Sequence, residues 1–320
     1  MASKKRLIII DSNSIIHRAY HALPILTTKK GEQINAIYGF LLVFLKIIRE
    51  FHPDFIAACF DFPAPTFRSK IFKKYKAKRP PAPEQLYQQI PKVKDVLKAF
   101  GTPVFEKKGF EADDLIGTIA KIAERKQIVP AIETIIVSGD LDALQLIDSQ
   151  TKVYSLRKGV KDIILYDTEA VKEKYQGLTP SQIVDFKALR GDPSDNIPGV
   201  TGVGEKIAID LLSKFGSLEN LYKEIEEKSE GNKKLKTQLK ETLLKYKEQA
   251  FFSQQLAQIE KNVPINFNLK KCQMESLSSY PKRKEKVIQV LKKYEFYAMI
   301  KKLSTFQEPI KQAKENLKLW

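Results

Sequence analysis

The chain has 320 residues, of which 43% are hydrophobic and 29% charged, values typical of a soluble globular protein with one large or two ordinary domains. Its apolar runs are too short for a membrane span or a secretory signal, and its two cysteines form no disulfide framework. We therefore expect a cytoplasmic protein. Lysine and arginine number 55 against 38 acids, a net charge of +17, which indicates a polyanion-binding surface or a generally lysine-rich one.

Short apolar, β-rich runs alternate with helical runs along the first half of the chain. Strands are predicted at 6–11, 54–61, 134–140 and 151–157, with a short one within 103–109. Helices are predicted at 34–51, within 81–101 and from 141 onwards. Such alternation predicts an α/β fold with a parallel sheet and helices on both faces.

Acidic residues follow several of these predicted strands. Asp11, Asp61 and Asp140 end three of them, and in open parallel sheets ligands bind beyond the carboxyl ends of the strands. Further acids lie nearby in the sequence, namely Glu111, Asp113, Asp114 and Asp142. One such acid is usually a helix cap, but so many converging carboxylates would repel one another and raise one another's pKa values. The pattern therefore predicts a site for two or more Mg²⁺ or Mn²⁺ ions, which prefer oxygen ligands.

The glycine-rich segment 188–216 matches neither of the common nucleotide-binding loops. Ile207 stands where a Walker A loop needs Ser or Thr, and also where the Rossmann pattern needs its third glycine. We interpret the segment as a tight hairpin that opens a helix from about 205 to 214. Its backbone N–H groups would bind phosphate without reading base sequence, although a helix–helix connection without a ligand is the alternative. Asp192 and Asp195, just upstream, add two acids.

The segment 67–80 is strongly basic, with seven Lys or Arg residues in its fourteen positions and aromatic residues between them. It follows directly after Asp61. Basic groups neutralise phosphates and aromatic rings stack on bases, so the segment fits a single nucleic-acid strand. A solvated charged face is the alternative.

Five blocks occur in the order and spacing of one known family. They are IIIDSNSIIHRAYHAL, CFDFPAPTFRSKIFKKYKAKRP, GFEADDLIGTIA, VSGDLDALQLI and ALRGDPSDNIPGVTGVGEK. The chain resembles the 5′-nuclease domain of bacterial DNA polymerase I, in the flap endonuclease superfamily. The resemblance implies a PIN-like parallel-sheet nuclease domain over 5–177 with a basic arch at about 67–83. A helical DNA-binding domain over 178–305 would follow, with a helix–hairpin–helix at 188–216 inside a helix-three-turn-helix, and a polar tail at 306–320.

The resemblance also implies roles for individual residues. It assigns nine acids to the metal site: Asp11, Asp61, Glu111, Asp113, Asp114, Asp140, Asp142, Asp192 and Asp195. Arg18 and Lys76 match the residues that engage the reacting phosphate, Tyr75 the aromatic residue that meets the nucleotide, and Arg68 and Arg79 the arch. In the hairpin, Gly199, Gly202, Gly204 and Lys206 match the grip on duplex backbone, which in the family often holds a K⁺ ion. Leu141 departs from the lysine that the family often has there.

The activity implied by the resemblance is hydrolysis of phosphodiester bonds by two Mg²⁺ or Mn²⁺ ions, giving a 5′-phosphate and a 3′-hydroxyl. The substrates implied are branched or nicked DNA with a 5′ end, 5′ flaps, and RNA primers annealed to DNA, in replication and repair. We expect a monomer that does not bind membranes. Three arrangements stay open: the chain works alone, partners a separate DNA polymerase, or is the N-terminal part of a longer chain. Two alternatives stay open: a catalytically inactive DNA-junction binding protein and a PIN-like ribonuclease.

Overall fold

The computed structural model describes residues 4–125, 132–157, 159, 162–227, 235–274 and 281–305. Within them, six strands form one sheet: β1 (Lys5–Asp11), β2 (Phe55–Cys59), β3 (Val104–Phe105), β4 (Ile132–Ser138), β5 (Thr151–Leu156) and β6 (Ile163–Tyr166). Their order across the sheet is β3-β2-β1-β4-β5-β6. The first five strands are parallel as predicted, whereas β6 pairs antiparallel with β5 and makes the sheet mixed.

Helices cover both faces of this sheet, as the sequence predicts. They are α1 (Ser12–Ala22), α2 (Asn35–Phe51), α3 (Phe67–Ile71), α4 (Glu84–Tyr87), α5 (Ile90–Phe100), α6 (Ala112–Arg125) and α7 (Thr168–Lys174). A 3-10 helix, Leu141–Leu146, stands where the sequence predicts a helix after β4. The side chains of β1 alternate between two cores, with Ile8 and Ile10 facing α1, α2 and α5 and with Leu7 and Ile9 facing α6. Both faces of β1 are therefore buried, which explains its uninterrupted apolar run.

The second half of the chain is helical. Its helices are α8 (Ile183–Arg190), α9 (Glu205–Phe215), α10 (Leu218–Glu227), α11 (Thr237–Lys245), α12 (Lys247–Ala257), α13 (Pro281–Lys293) and α14 (Tyr297–Thr305), with 3-10 turns at Pro180–Gln182 and Leu269–Cys272. Helices α8 to α12 enclose a core of their own, which includes Leu189, Leu212 and Tyr222. Among the described residues, no helix combines the length and the apolar character that crossing a membrane requires.

The chain after α12 packs back onto the α/β domain. Ile259 and Val263 join the core beside α6, while Val287 and Leu291 of α13 join the core beside α2 and α5. The predicted helical domain over 178–305 therefore ends in space near Ala257, because later apolar residues are buried against the sheet domain. The predicted polar tail at 306–320 lies outside the described residues.

Candidate metal centre and nucleic-acid interface

Asp11 lies at the carboxyl end of β1 in the middle of the sheet, with only 4% of its surface exposed. Its Oδ1 accepts a hydrogen bond from the Ser14 N–H (3.1 Å), and its Oδ2 accepts one from the Ser138 hydroxyl (2.6 Å). Burial raises the pKa of Asp11 to about 7, and the charges of Asp61 and Asp140 add to the shift although the two hydrogen bonds oppose it. The sheet edge thus concentrates negative charge around one buried carboxylate.

Asp113 increases this concentration of charge. Within the described residues, its carboxylate accepts no hydrogen bond and forms no salt bridge. The nearby bonds from the Glu111 N–H and from Arg68 go to the neighbouring Asp114 instead. Burial, together with the carboxylates of Asp11 and Asp140, raises the pKa of Asp113 well above its usual range. Asp140 caps the 3-10 helix by accepting a bond from the Asp142 N–H (2.9 Å), and Asp61 accepts one from the Ala112 N–H (2.8 Å).

We name Asp11, Asp61, Asp113 and Asp140 the central acids, since in the described part of the chain none of them forms a salt bridge with Lys or Arg. As they stand, the described residues include no set of three His, Cys, Asp or Glu side chains arranged to hold a metal ion. The raised pKa values of Asp11 and Asp113 fit this lack of salt bridges, because neighbouring carboxylates without a counter-ion repel one another. A donor set of carboxylate oxygens that lacks cations fits a hard divalent ion such as Mg²⁺ or Mn²⁺.

Four further acids lie around the central acids but are paired with lysine or arginine: Glu111, Asp142, Asp192 and Asp195. We name them the peripheral acids. Glu111 accepts a bond from the Lys76 ammonium (2.9 Å), and Asp195 contacts the Arg79 guanidinium and lies 3.8 Å from the Lys76 Nζ. A metal ion that recruits these acids must compete with the cations that already neutralise them.

Lys187 of α8 neutralises the other two peripheral acids. Its Nζ contacts Asp142 and lies 2.6 Å from Oδ2 of Asp192. Burial raises the pKa of Asp142 to about 7, with Lys187 opposing the shift and Asp140 adding to it. Burial also opposes ionisation of Asp192, but Lys187 and the Ser194 hydrogen bonds prevail and lower the pKa of Asp192 to about 2. Sequence reasoning missed Lys187; its position five residues before Asp192 in a buried helix was the available signal.

Asp114 does not belong to this group, which corrects the prediction that it binds metal. The side chain is 0% exposed and receives both arms of the Arg68 guanidinium, at 2.9 and 2.7 Å. Its oxygens also accept bonds from the Glu111 N–H (3.0 Å) and the Glu260 N–H (2.9 Å). With four donors on two oxygens, the carboxylate has no capacity left for a metal ion.

Arg68 is corrected for the same reason. It is only 3% exposed, and besides Asp114 it donates to the carbonyl oxygens of Leu256 (3.0 Å) and Gln258 (2.6 Å). Its guanidinium also lies over the Phe67 ring, 4.4 Å from the centroid. Arg68 therefore joins α3, α6 and the end of α12, and it presents no charge to DNA.

The basic segment after α3 folds against the loop between α8 and α9. Tyr75 is 7% exposed, packs with Val184 and Ile197, and donates its hydroxyl toward Glu111 (3.1 Å) and Asp195 (3.3 Å). This burial corrects the prediction that the Tyr75 ring faces a nucleotide, because its surface is covered by protein. Lys76, by contrast, is partly accessible and lies against Glu111 and Asp195.

Arg79 reaches the same loop from solvent. Its guanidinium contacts Asp195 and lies 3.5 Å from the Ser194 carbonyl, and 47% of its side-chain surface is exposed. Burial lowers the pKa of Arg79 and the Asp195 carboxylate raises it. The carboxylate prevails, so the pKa of Arg79 lies above its usual value. Arg79 therefore remains cationic and accessible beside the acids.

Arg18 projects from α1 over the end of β4. One of its amino groups donates to the Gly139 carbonyl (2.7 Å) and the other contacts the Arg157 carbonyl. A Cβ at Gly139 would lie 2.5 Å from Nε of Arg18 and 2.7 Å from the Ser14 hydroxyl, so only glycine leaves room for this arginine. The VSGD motif thus positions a cation next to Asp140.

The glycine hairpin divides into a buried and an exposed part. Gly202, Gly204 and Lys206 are exposed, and a Cβ at either glycine would meet no described atom within 4 Å. Gly204 directly precedes α9, and Gly202 and Lys206 border a cavity of about 960 Å³ between α9 and α11. Gly199 is buried instead, and both its N–H and its carbonyl already have protein partners. This corrects the prediction that Gly199 contacts DNA backbone.

Two family descriptions match the chain one after the other. The domain described as "5'-3' exonuclease, N-terminal resolvase-like domain" matches residues 6–176. The domain described as "5'-3' exonuclease, C-terminal SAM fold" matches residues 178–280.

Bacterial DNA polymerases I are similar in sequence. The enzyme of Bacillus caldotenax is 40% identical over 302 residues, which cover 94% of this chain and 33% of that polymerase. The enzyme of Bacillus subtilis (strain 168) is 41% identical over 303 residues, with 95% and 33% covered. The chain thus spans about a third of the length of these relatives.

Two solved structures share the fold. A T5 5′-exonuclease with bound zinc ions has a TM-score of 0.65 and 18% identity, covering 90% of this chain and 99% of that one. The catalytic core of Rad2 in complex with a DNA substrate has a TM-score of 0.54 and 17% identity, covering 91% and 88%. The predicted α/β fold followed by a helical domain is thereby confirmed. With both family domains present in order, the chain belongs to the 5′-3′ exonuclease family.

Proposed function

We propose that the chain hydrolyses phosphodiester bonds at the 5′ ends and 5′ flaps of branched or nicked DNA, including RNA primers annealed to DNA. The observation that carries this proposal is the set of central acids, four carboxylates at the carboxyl edge of the sheet that form no salt bridge with Lys or Arg in the described residues. Burial raises the pKa values of Asp11 and Asp113, and the carboxylates around them add to the shift. Carboxylates left in this state are costly unless a cation neutralises them. The DNA polymerase I relatives support an action on DNA in replication and repair.

The central acids would hold the divalent ions, with Mg²⁺ or Mn²⁺ favoured because every donor is oxygen. The peripheral acids would join when Lys76, Lys187 and Arg79 exchange partners. Ions bound there supply a water of lowered pKa and neutralise charge on the scissile phosphate. We propose a K⁺ ion at the hairpin on the family resemblance alone.

Arg18 and Lys76 would stabilise the phosphate. The bond to the Gly139 carbonyl already orients the Arg18 guanidinium. Its other N–H groups are therefore held in place before the substrate arrives. Lys76 lies between Glu111 and Asp195, so a phosphate oxygen competes with two carboxylates for its ammonium group. Binding of substrate would therefore release these two acids toward the metal ions.

The hairpin would hold the duplex while the basic arch at about 67–83 borders the path of the single-stranded 5′ end. Gly202, Gly204 and Lys206 offer backbone N–H groups, a helix N-terminus and a cation, which bind phosphate irrespective of base sequence. We therefore propose that DNA shape decides which substrate is cut. Binding should weaken steeply with salt and depend little on sequence.

The test is cleavage of an end-labelled 5′ flap with and without Mg²⁺, compared with nicked, blunt and single-stranded DNA of the same sequence. Asp113→Asn is expected to lose activity by ~10³-fold or more, a loss typical of removing a group that stabilises the transition state. Glu173→Gln, an exposed acid on α7, is the matched control and should cut normally.

Equal activity in the wild-type protein and in Asp113→Asn would identify a contaminating nuclease and reject the proposal. Tight flap binding without cleavage would favour an inactive junction-binding protein, and cutting of single-stranded RNA lacking a junction would favour a ribonuclease.

We also propose that the protein acts as a cytoplasmic monomer that leaves nicks for a separate DNA polymerase. Light scattering of the purified chain tests its oligomeric state.

A further inference from the structure

The peptide groups of Gly199, at the base of the hairpin, are held by a helix that contains none of the predicted site residues. The Gly199 N–H donates to the hydroxyl of Ser253 at 3.1 Å. The Gly199 carbonyl accepts a bond from Nε2 of Gln249 at 2.6 Å. Ser253 and Gln249 lie four residues apart on α12 and therefore on one face of that helix.

The surroundings of Gly199 leave its backbone no other arrangement. Its φ is +63°, and a Cβ there would lie 2.2 Å from the Gly191 nitrogen, so the two ends of the loop touch through their backbones. Next to it, the Val200 N–H donates to the Leu189 carbonyl at 2.8 Å. The base of the hairpin is thus closed, and the exposed turn over Gly202 and Gly204 projects from it.

Helix α12 is itself fixed in place. Ala250 and Leu256 are buried, and Ser253 is 0% exposed. Gln254 on the same helix donates to Asp185 (2.8 Å), whose other oxygen accepts a bond from the Leu218 N–H (3.0 Å) at the start of α10. The face that holds Gly199 therefore belongs to a rigid part of the helical domain.

We propose that Gln249 and Ser253 are positioning residues for binding of the DNA phosphate backbone, acting through Gly199 on the exposed turn. This inference rests on the proposed function of the hairpin as a grip on duplex DNA. Neither residue touches DNA. Their bonds hold the N–H groups from Gly202 to Lys206 in one orientation before DNA arrives, which removes an ordering cost from binding.

The experiment compares Gln249→Met with Gln255→Ala, an exposed position on the same helix. Methionine keeps the length and helix propensity of glutamine but cannot donate to the Gly199 carbonyl. Binding of a fluorescent nicked duplex is measured by anisotropy without divalent metal, and flap cleavage is measured with Mg²⁺. We expect Gln249→Met to raise Kd and KM about fivefold to tenfold, with kcat at saturating DNA within about twofold of wild type. Gln255→Ala should match wild type.

Ser253→Ala is the second variant and should shift Kd and KM in the same direction, with thermal melting monitored to establish that the variant is folded. A fall in kcat with unchanged KM, or variants that equal Gln255→Ala, would overturn the inference. Because binding is measured without metal, the two proposals can fail separately. If the wild-type protein binds nicked DNA but never cuts it, the proposed reaction is wrong and the positioning role can still be tested. If the protein cuts flaps but Gln249→Met leaves Kd and KM unchanged, only this inference is wrong.

Discussion

The carboxyl edge of the sheet and the glycine hairpin both suit phosphate binding, but they treat their buried polar groups in opposite ways. At the sheet edge, the half-buried Asp113 lies beside other carboxylates and, among the residues that the structure describes, accepts no hydrogen bond. In the hairpin, the buried N–H and carbonyl of Gly199 both have partners, and only exposed groups are left for a ligand. The unsatisfied region suits chemistry, which needs charge to be supplied on binding. The satisfied region suits recognition, which needs a rigid surface.

The Arg68–Asp114 pair resembles the hairpin in this respect, because the polar atoms of the buried Asp114 all have hydrogen-bond donors although its neighbour Asp113 has none among the described residues. Adjacent residues Asp113 and Asp114 thus have opposite surroundings, one beside other carboxylates and one paired with Arg68 in the protein interior. The first two predictions contrast these neighbours, and the next two contrast positions within the hairpin.

The largest effect is expected at Asp113. Asp113→Asn should reduce flap cleavage by ~10³-fold or more. The same change should raise the melting temperature, because it replaces a carboxyl group whose ionisation is opposed by burial and by the Asp11 and Asp140 carboxylates. Calorimetry on the metal-free protein measures the second effect, and an unchanged or lower melting temperature would mean that the carboxylate is not strained.

Arg68→Met should have the opposite profile. It leaves the buried Asp114 carboxylate without its partner, which costs about 3–5 kcal/mol of the free energy of unfolding. Urea denaturation measures this loss. Lys78→Met, an exposed position in the same basic segment, should change stability by no more than about 0.5 kcal/mol. Similar losses of stability in Arg68→Met and Lys78→Met would contradict the conclusion that Arg68 has a structural role that exposed basic residues of the segment lack.

Two glycine substitutions separate the buried from the exposed part of the hairpin. Gly199→Ala forces a Cβ against the Gly191 backbone and should lower stability by more than about 2 kcal/mol. Gly202→Ala meets no described atom and bears only the strain of its φ of +85°, about 1 kcal/mol. Chemical denaturation measures the free energy of unfolding of both variants. A larger loss of stability in Gly202→Ala than in Gly199→Ala would contradict this prediction.

The smallest effect is expected at Lys206. Lys206→Gln should leave the melting temperature unchanged and weaken binding of duplex DNA about equally across base sequences. The slope of log Kd against log salt concentration should fall by about one, since one phosphate contact is lost. Anisotropy titrations between low and moderate salt measure the slope, and an unchanged value would exclude Lys206 from the interface.

The positions of two acids at the sheet edge followed from local sequence pattern. Asp11 ends the buried strand β1 and Asp140 lies two residues after the buried strand β4, and both strands are visible as apolar runs followed by an acid, because burial on both faces selects an uninterrupted apolar run. The exposed Gly202 and Gly204 followed from turn chemistry in the same way. The pairing of individual acids did not follow, since Arg68 meets Asp114 across 46 positions and Lys187 meets Asp142 across 45.

By itself, the sequence determined the alternation of strands and helices, the acids at the strand ends, the basic segment and the hairpin, because each depends on residues within one or two turns. Only the tertiary structure decided that β6 runs antiparallel, that Tyr75 and Gly199 are covered, that α13 and α14 return to the sheet domain, and that Asp114 rather than Asp113 is paired with Arg68. Those outcomes depend on burial and charge pairing between distant segments, and no local pattern records which distant residue becomes the partner.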